Sequence, residues 1–320
     1  MKFSRFFPSL VRFLGVLVVL AGSGLADYKQ AVQYYSQQRY DKAIQELKPE
    51  LDLNPEWEFG HRLMGLSYLS LKNNALAIAS LTRAVQLKST AFPTYQGLGQ
   101  AYFNMQKFDN CVQILNQGEQ FAKTSEDKYK LYHLRGSAYY RLEKFNEAVN
   151  DLTGAIRIQG SDWTDFSQLG IVFYTLNRQD EAIQALQRAL ALKPGHNATV
   201  EFLGKAHFKK GVTALSAKQY GQAIDLLRKA RDYTPKDGYI YYNIAEAYLF
   251  QKNFGEAEKA LNQALELMPR SAEVFQRIGL VYEKQKRWDL ALNAYHKAYD
   301  LNPSDGLKEA IARVNEVKKR

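Results

Sequence analysis

From Asp27 onward, apolar residues recur three and four apart, the spacing of one face of an α-helix. A longer beat is laid over that period. A small residue stands three before a Tyr or Phe, and an Ala follows the small residue by twelve. Ala31 goes with Tyr34 and Ala43, and Gly65 with Tyr68 and Ala77. Gly99 goes with Tyr102, with Cys111 in the Ala place. Gly136 pairs with Tyr139 and Ala148, Gly170 with Phe173 and Ala182, Ala245 with Tyr248 and Ala257, and Gly279 with Tyr282 and Ala291. Gly211 keeps Ala223 but has Ala214 where the aromatic belongs. Successive small residues are 34, 34, 37, 34, 41, 34 and 34 apart. The pattern predicts eight units of two antiparallel helices each, and no strands.

The physical reason is close approach. Two helices cross tightly where side chains are small, so the Gly or Ala of the first helix and the Ala of the second are expected to meet. Tyr, Phe and Leu at neighbouring helical positions then fill the space between units. A Pro after the second helix stops it and resets the chain. Cys111 reads as a small core residue.

The beat resembles the tetratricopeptide repeat (TPR) at its defining residues. Tyr95-x₂-Leu98-Gly99-x₂-Tyr102 and Phe166-x₂-Leu169-Gly170-x₂-Phe173 match the first half of that repeat. Ala182-x₃-Leu186-x₂-Ala189 closed by Pro194, Ala257-x₃-Leu261-x₂-Ala264 with Pro269, and Ala291-x₃-Tyr295-x₂-Ala298 with Pro303 match the second. The resemblance covers about residues 27–305. It implies an all-α, right-handed superhelical α-solenoid of about eight helix–turn–helix units.

The departures mark where the array changes. In the first repeat Asp27, Gln30 and Glu50 replace the aromatic, Leu and Ala, and Pro49 falls within its second helix; an end repeat faces water on one side. Residues 126–128 are expected to lengthen the third connection. Seven extra residues, Asn197 to Leu203, are expected to extend the first helix of the sixth repeat and to divide the array into residues 27–196 and 197–305. Leu307, Ile311, Val314 and Val317 at helical spacing predict an amphipathic capping helix over 306–320.

Residues 1–26 have a different composition. Lys2, Arg5 and Arg12 precede the apolar run Phe13–Leu20, and Gly24-Leu25-Ala26 places small residues where a signal peptidase reads. The uncharged stretch, residues 13–26, is shorter than the ~20 residues that span a bilayer. We therefore expect a secretory signal peptide cleaved after Ala26, a periplasmic or secreted location, and no membrane span in the mature chain.

Composition narrows the chemistry. With one cysteine, Cys111, no intramolecular disulfide forms and thiolate metal sites are excluded. The 21 Tyr and 17 Phe must carry much of the packing. The formal charge of +10 falls to +7 without residues 1–26, and the basic residues are dispersed, so no nucleic-acid partner is expected. Gly97-x-Gly99 lies mid-helix at the packing position and is no phosphate loop. No nucleophile elbow, His-Glu-x-x-His or P-loop pattern is present, so no enzyme, cofactor or metal is expected. Asn197-Ala198-Thr199 is a glycosylation sequon, relevant in a eukaryotic secretory pathway.

The resemblance further implies that first helices line a concave groove that takes segments of other proteins. Carried onto this chain, the groove positions of the middle repeats are Gln96, Gln100 and Phe103, His133, Ser137 and Tyr140, and Tyr174. Aromatics supply contact area at low entropic cost, and amides and hydroxyls can pair with a peptide backbone. The Lys/Asn clamp with which some relatives hold a C-terminal carboxylate is absent. The expected function is a non-catalytic scaffold for a partner protein or peptide; the alternative is a module associated with an envelope polymer or carbohydrate.

Overall fold

The computed structural model describes residues 28–319; the signal-peptide reading lies outside them. Within this span there are seventeen α-helices and no strand. The first unit holds α1 (Tyr28–Ser36), α2 (Tyr40–Leu53), α3 (Glu58–Ser70), α4 (Asn74–Gln86), α5 (Phe92–Asn104), α6 (Phe108–Gly118), α7 (Ser125–Arg141) and α8 (Phe145–Ile158). The second holds α9 (Trp163–Thr175), α10 (Gln179–Leu192), α11 (Asn197–Ser216), α12 (Tyr220–Tyr233), α13 (Gly238–Phe250), α14 (Phe254–Leu267), α15 (Ala272–Lys284), α16 (Trp288–Leu301) and α17 (Asp305–Lys319). Two compact units divide between Gly160 and Ser161, with four helical hairpins in each. The seven extra residues at 197–203 fall inside the second unit, as the opening turns of the 20-residue α11.

Each hairpin turns in the same way. Gln38, Lys72, Gln106, Glu143, Asn177, Lys218, Lys252 and Lys286 follow the first helices with φ near +60°, in the register of the repeat. The carbonyl of the motif aromatic accepts the turn's N–H: Arg39 N donates to Tyr34 O at 2.8 Å, Asn73 to Tyr68 at 2.9 Å and Asn253 to Tyr248 at 2.9 Å. This satisfies carbonyls that the helix end leaves free.

The contact across each hairpin differs in detail from the small-on-small expectation. The motif glycine faces the bulky residue four beyond the Ala. A Cβ on Gly65 would lie 2.5 Å from Leu81 Cγ, on Gly170 2.6 Å from Leu186 Cγ, and on Gly279 2.6 Å from the Tyr295 ring. Leu81, Leu115, Leu152, Leu186, Leu227 and Leu261 are wholly buried knobs, each worth about 1.5–3 kcal/mol of transfer free energy. The Ala positions are also sealed, as is Cys111, whose thiol burial pushes up to about 12; it is therefore an inert packing residue.

Residues 126–128 do not lengthen a loop as expected. They lie in the first turn of α7, which runs to 17 residues. The cause is a capping box: Thr124 Oγ1 accepts from Asp127 N at 3.0 Å, and the Asp127 carboxylate accepts from Thr124 N at 3.3 Å. At the C-terminal end, α17 covers α16 with Leu307, Ala310 and Val314. Bidentate hydrogen bonds from Arg313 to Glu283, 2.9 and 3.0 Å, and an ion pair from Lys318 to Asp289 tie it down.

Candidate functional site

In the first unit α3 touches α5 directly and α5 touches α7, so the first helices form one inner layer; α9, α11 and α13 do the same in the second. The candidate residues fall on those layers. Gln96, Gln100 and Phe103 are half-buried on α5, and His133 and Tyr140 are half-buried on the adjacent α7. Ser137, between them, is only 4% exposed, so a ligand on this face reaches little of it. Phe103 meets Phe108 edge-on at 5.3 Å. His133 lies 5.7 Å from the Tyr129 ring. Tyr174 belongs to the second unit, where it meets Phe202 edge-on at 5.4 Å beneath the Lys209 ammonium.

Two features of the first unit go beyond the sequence-derived candidates, although Gln100 takes part in the first of them. One is an amide chain. Gln100 Nε2 donates to Asn104 Oδ1 at 2.9 Å, and Asn104 Nδ2 donates to Asn74 Oδ1 at 3.0 Å. The four-residue step from Gln100 to Asn104 was legible as a helical neighbour pair, but Asn74 comes from another repeat. The other is a charged knot behind the groove. Arg135 stands where four of the eight repeats have Leu or Ile before the small residue. Its Nε donates to Asp151 Oδ2 at 2.7 Å, and its Nη atoms donate to Asp151, Asn116 and Glu119. Arg135 and Asp151 are both buried. Burial pushes the Asp151 carboxyl up, opposed by the Arg135 guanidinium. The knot ties α6, α7 and α8 together.

The inner layer of the second unit is more charged. Arg277 Nε lies 2.8 Å from Glu246 Oε1 and donates to Tyr242 Oη at 3.3 Å. Burial raises the Glu246 carboxyl and Arg277 opposes it. Glu283 accepts from Tyr295 Oη at 2.7 Å as well as from Arg313 of α17, so the capping helix already occupies the last groove position. Deeper in this unit, His207 is 4% exposed and stacks on Tyr233 with ring centroids 5.9 Å apart. No helix among the described residues is long and apolar enough to cross a membrane.

Comparison with known proteins bears on the family. Models described as "Tetratricopeptide repeat" match residues 63–90, 92–123, 133–197, 214–276 and 272–305. No curated protein matches the chain. Among solved structures, the C-terminal part of a TPR repeat-containing protein from Cytophaga hutchinsonii is 14% identical, with a TM-score of 0.49, over 89% of this chain and 99% of that one. MamA from Desulfovibrio magneticus RS-1 is 25% identical, with a TM-score of 0.40, over 56% of this chain and 97% of that one. YrrB, described as a TPR protein with an unusual peptide-binding site, is 18% identical, with a TM-score of 0.45, over 61% and 95%. With family models matching well over half of its length, and with the paired helices and buried knobs of each repeat in place, the chain belongs to the tetratricopeptide-repeat family.

Proposed function

We propose that this protein is a non-catalytic, extracytoplasmic scaffold that holds a segment of a partner protein along the inner layer of its first unit. The observation that carries the reading is the pairing of Gln96, Gln100 and Phe103 on α5 with His133 and Tyr140 on the adjacent α7. Half-buried aromatics give contact area, and half-buried amides give hydrogen bonds whose partners a peptide backbone can supply. The N-terminal residues 1–26 carry the sequence layout of an export signal, which supports the compartment. The dispersed charge supports a protein partner over a nucleic acid.

The test is to express the tagged protein in its native host, cross-link it, and identify what co-purifies beside a Gln96→Ala/Tyr140→Ala variant. The expected result is capture of one or a few envelope or secreted proteins by the parent, lost by the variant while its helical circular dichroism is kept. Equal capture by both would overturn the groove. Capture of nothing proteinaceous, with retention of purified envelope polymer, would replace the reading by the carbohydrate-associated one. N-terminal sequencing of the mature protein tests the export signal; a start at Asp27 is expected, and an intact Met1 in the cytoplasmic fraction would refute it.

A further inference from the structure

Every hairpin turn places one residue in the left-handed region, where Gly or Asn is the least costly choice. In the first unit that position holds Gln38, Lys72, Gln106 and Glu143, whose charges cancel. In the second unit it holds Asn177 and then Lys218, Lys252 and Lys286, with φ of +60° or +61°. Three consecutive repeats thus put an ammonium at the same corner. The corner recurs with the repeat, so the lysines stand in a row along one edge of the unit, about 8–10 Å apart at the spacing of packed helices. Two contacts tie neighbouring turns together. Tyr220, two residues past Lys218, stacks on Phe250, two residues before Lys252, at 5.2 Å. Arg287, next to Lys286, donates to both carboxylate oxygens of Glu258 on α14, at 3.0 and 2.9 Å.

The row keeps its charge. The carboxylates beside these turns already have cations: Glu256 pairs with Lys259, Glu258 with Arg287, Glu283 with Arg313 and Asp289 with Lys318. Lys218, Lys252 and Lys286 are exposed, and none of them forms an ion pair among the described residues. Lys318 reaches Asp289 in the first turn of α16, so the end of α17 comes to the same edge and brings the exposed Lys319 with it. Apolar side chains stand among these cations. Phe250, between Lys218 and Lys252, is 58% exposed, and Val317 is 43% exposed.

We propose that this edge of the second unit rests on an anionic lipid bilayer. Lys218, Lys252 and Lys286 meet headgroup phosphates, and Phe250 enters the boundary of the acyl chains. A row of uncompensated cations calls for an extended negative surface. A soluble polyanion would match the lysines, but it has no apolar phase for the ring between them. The attachment is peripheral and reversible, set by charge and by a small apolar area. It is independent of the inner-layer reading and gives the molecule a second surface.

The test is co-sedimentation with vesicles, using the protein expressed from its full sequence and purified in its processed form. One set of vesicles is phosphatidylcholine with phosphatidylglycerol, the other phosphatidylcholine alone. Binding to the anionic set only, weakened by added sodium chloride, is expected. A Lys218→Gln/Lys252→Gln/Lys286→Gln variant should bind about a hundred-fold more weakly, at about five-fold for each lysine. Glutamine fits these turns, since Gln38 and Gln106 occupy the same position with φ of 60° and 58°. Phe250→Ser should weaken binding about ten-fold. Lys48→Gln/Lys107→Gln/Lys123→Gln removes the same charge from exposed positions of the first unit and should bind as the parent does. An equal loss in that control would overturn the proposal, as would equal binding to both vesicle sets. Retention on immobilised heparin through the same lysines, without vesicle binding, would replace the bilayer by a soluble polyanion. Gln96→Ala/Tyr140→Ala should leave vesicle binding unchanged, so failure of the groove and failure of the bilayer contact are read separately.

Discussion

Lowering the pH should loosen the second unit through one side chain, His207. In most repeats the residue four before the motif's small residue is aromatic, as with Tyr95, Phe166 and Tyr241; here it is His207, sealed to 4% exposure. Its Nδ1 has no hydrogen-bond partner, and its ring stacks on Tyr233. Burial first, then the positive charges of Lys229 and Lys210, pull its pKa from 6.5 down to about 4. The folded state thus binds fewer protons than the unfolded state between those values. The stability this group contributes is fully present above about pH 6.5 and is lost as pH falls toward about 4. Linkage puts the loss at about 2 kcal/mol near pH 5 and about 3 kcal/mol near pH 4. A His207→Phe variant keeps an aromatic at that position and removes the proton. Because repeat arrays need not unfold in one step, the readout should be local. Amide hydrogen exchange of α11 and α12, measured near pH 7 and near pH 5 and corrected for intrinsic exchange, reports their opening free energy. The variant should gain about 2 kcal/mol over the parent on going from the higher to the lower pH. A gap between variant and parent that is the same at both pH values would show that His207 is not held neutral by its burial.

Three other outcomes follow from the packing. Arg135→Leu strands the buried Asp151 carboxylate and should cost about 3–5 kcal/mol in urea denaturation of the first unit, while Arg135→Leu/Asp151→Leu should recover most of it; a double variant no better than the single one would contradict the pairing. Gly170→Ala sets a Cβ 2.6 Å from Leu186 Cγ and should cost about 1–3 kcal/mol, read as a lowered thermal midpoint; an unchanged midpoint would mean the hairpin yields freely. Lys72 sits at φ +60°, so Lys72→Gly should stabilise the first unit by about 0.5–1 kcal/mol, and a loss of stability would show that its side chain is worth more than the strain it carries.

Much of this protein was legible in its sequence because helix packing in repeats is a short-range matter. The 34-residue beat, the small residues and the aromatic three beyond seven of the eight fix where helices start, cross and turn. Those contacts lie within one hairpin or between neighbours, so local pattern and tertiary arrangement coincide. The elongated α11 and the amphipathic α17 could be expected from extra residues and spacing alone. Other features needed the fold because they depend on which side chains meet across repeats. Arg135 and Asp151 are 16 residues apart and look like two solvated charges in a string; only the stacking of α7 on α8 buries them together. Asn74 and Asn104 are 30 residues apart, and nothing local distinguishes them from ordinary surface amides until the junction joins them. Ser137 shares a helical stripe with His133 and Tyr140, yet the depth at which α7 sits leaves it 4% exposed. Periodicity gives the direction in which a side chain points, whereas its distance from the surface, and what it touches there, is set by how closely neighbouring helices pack.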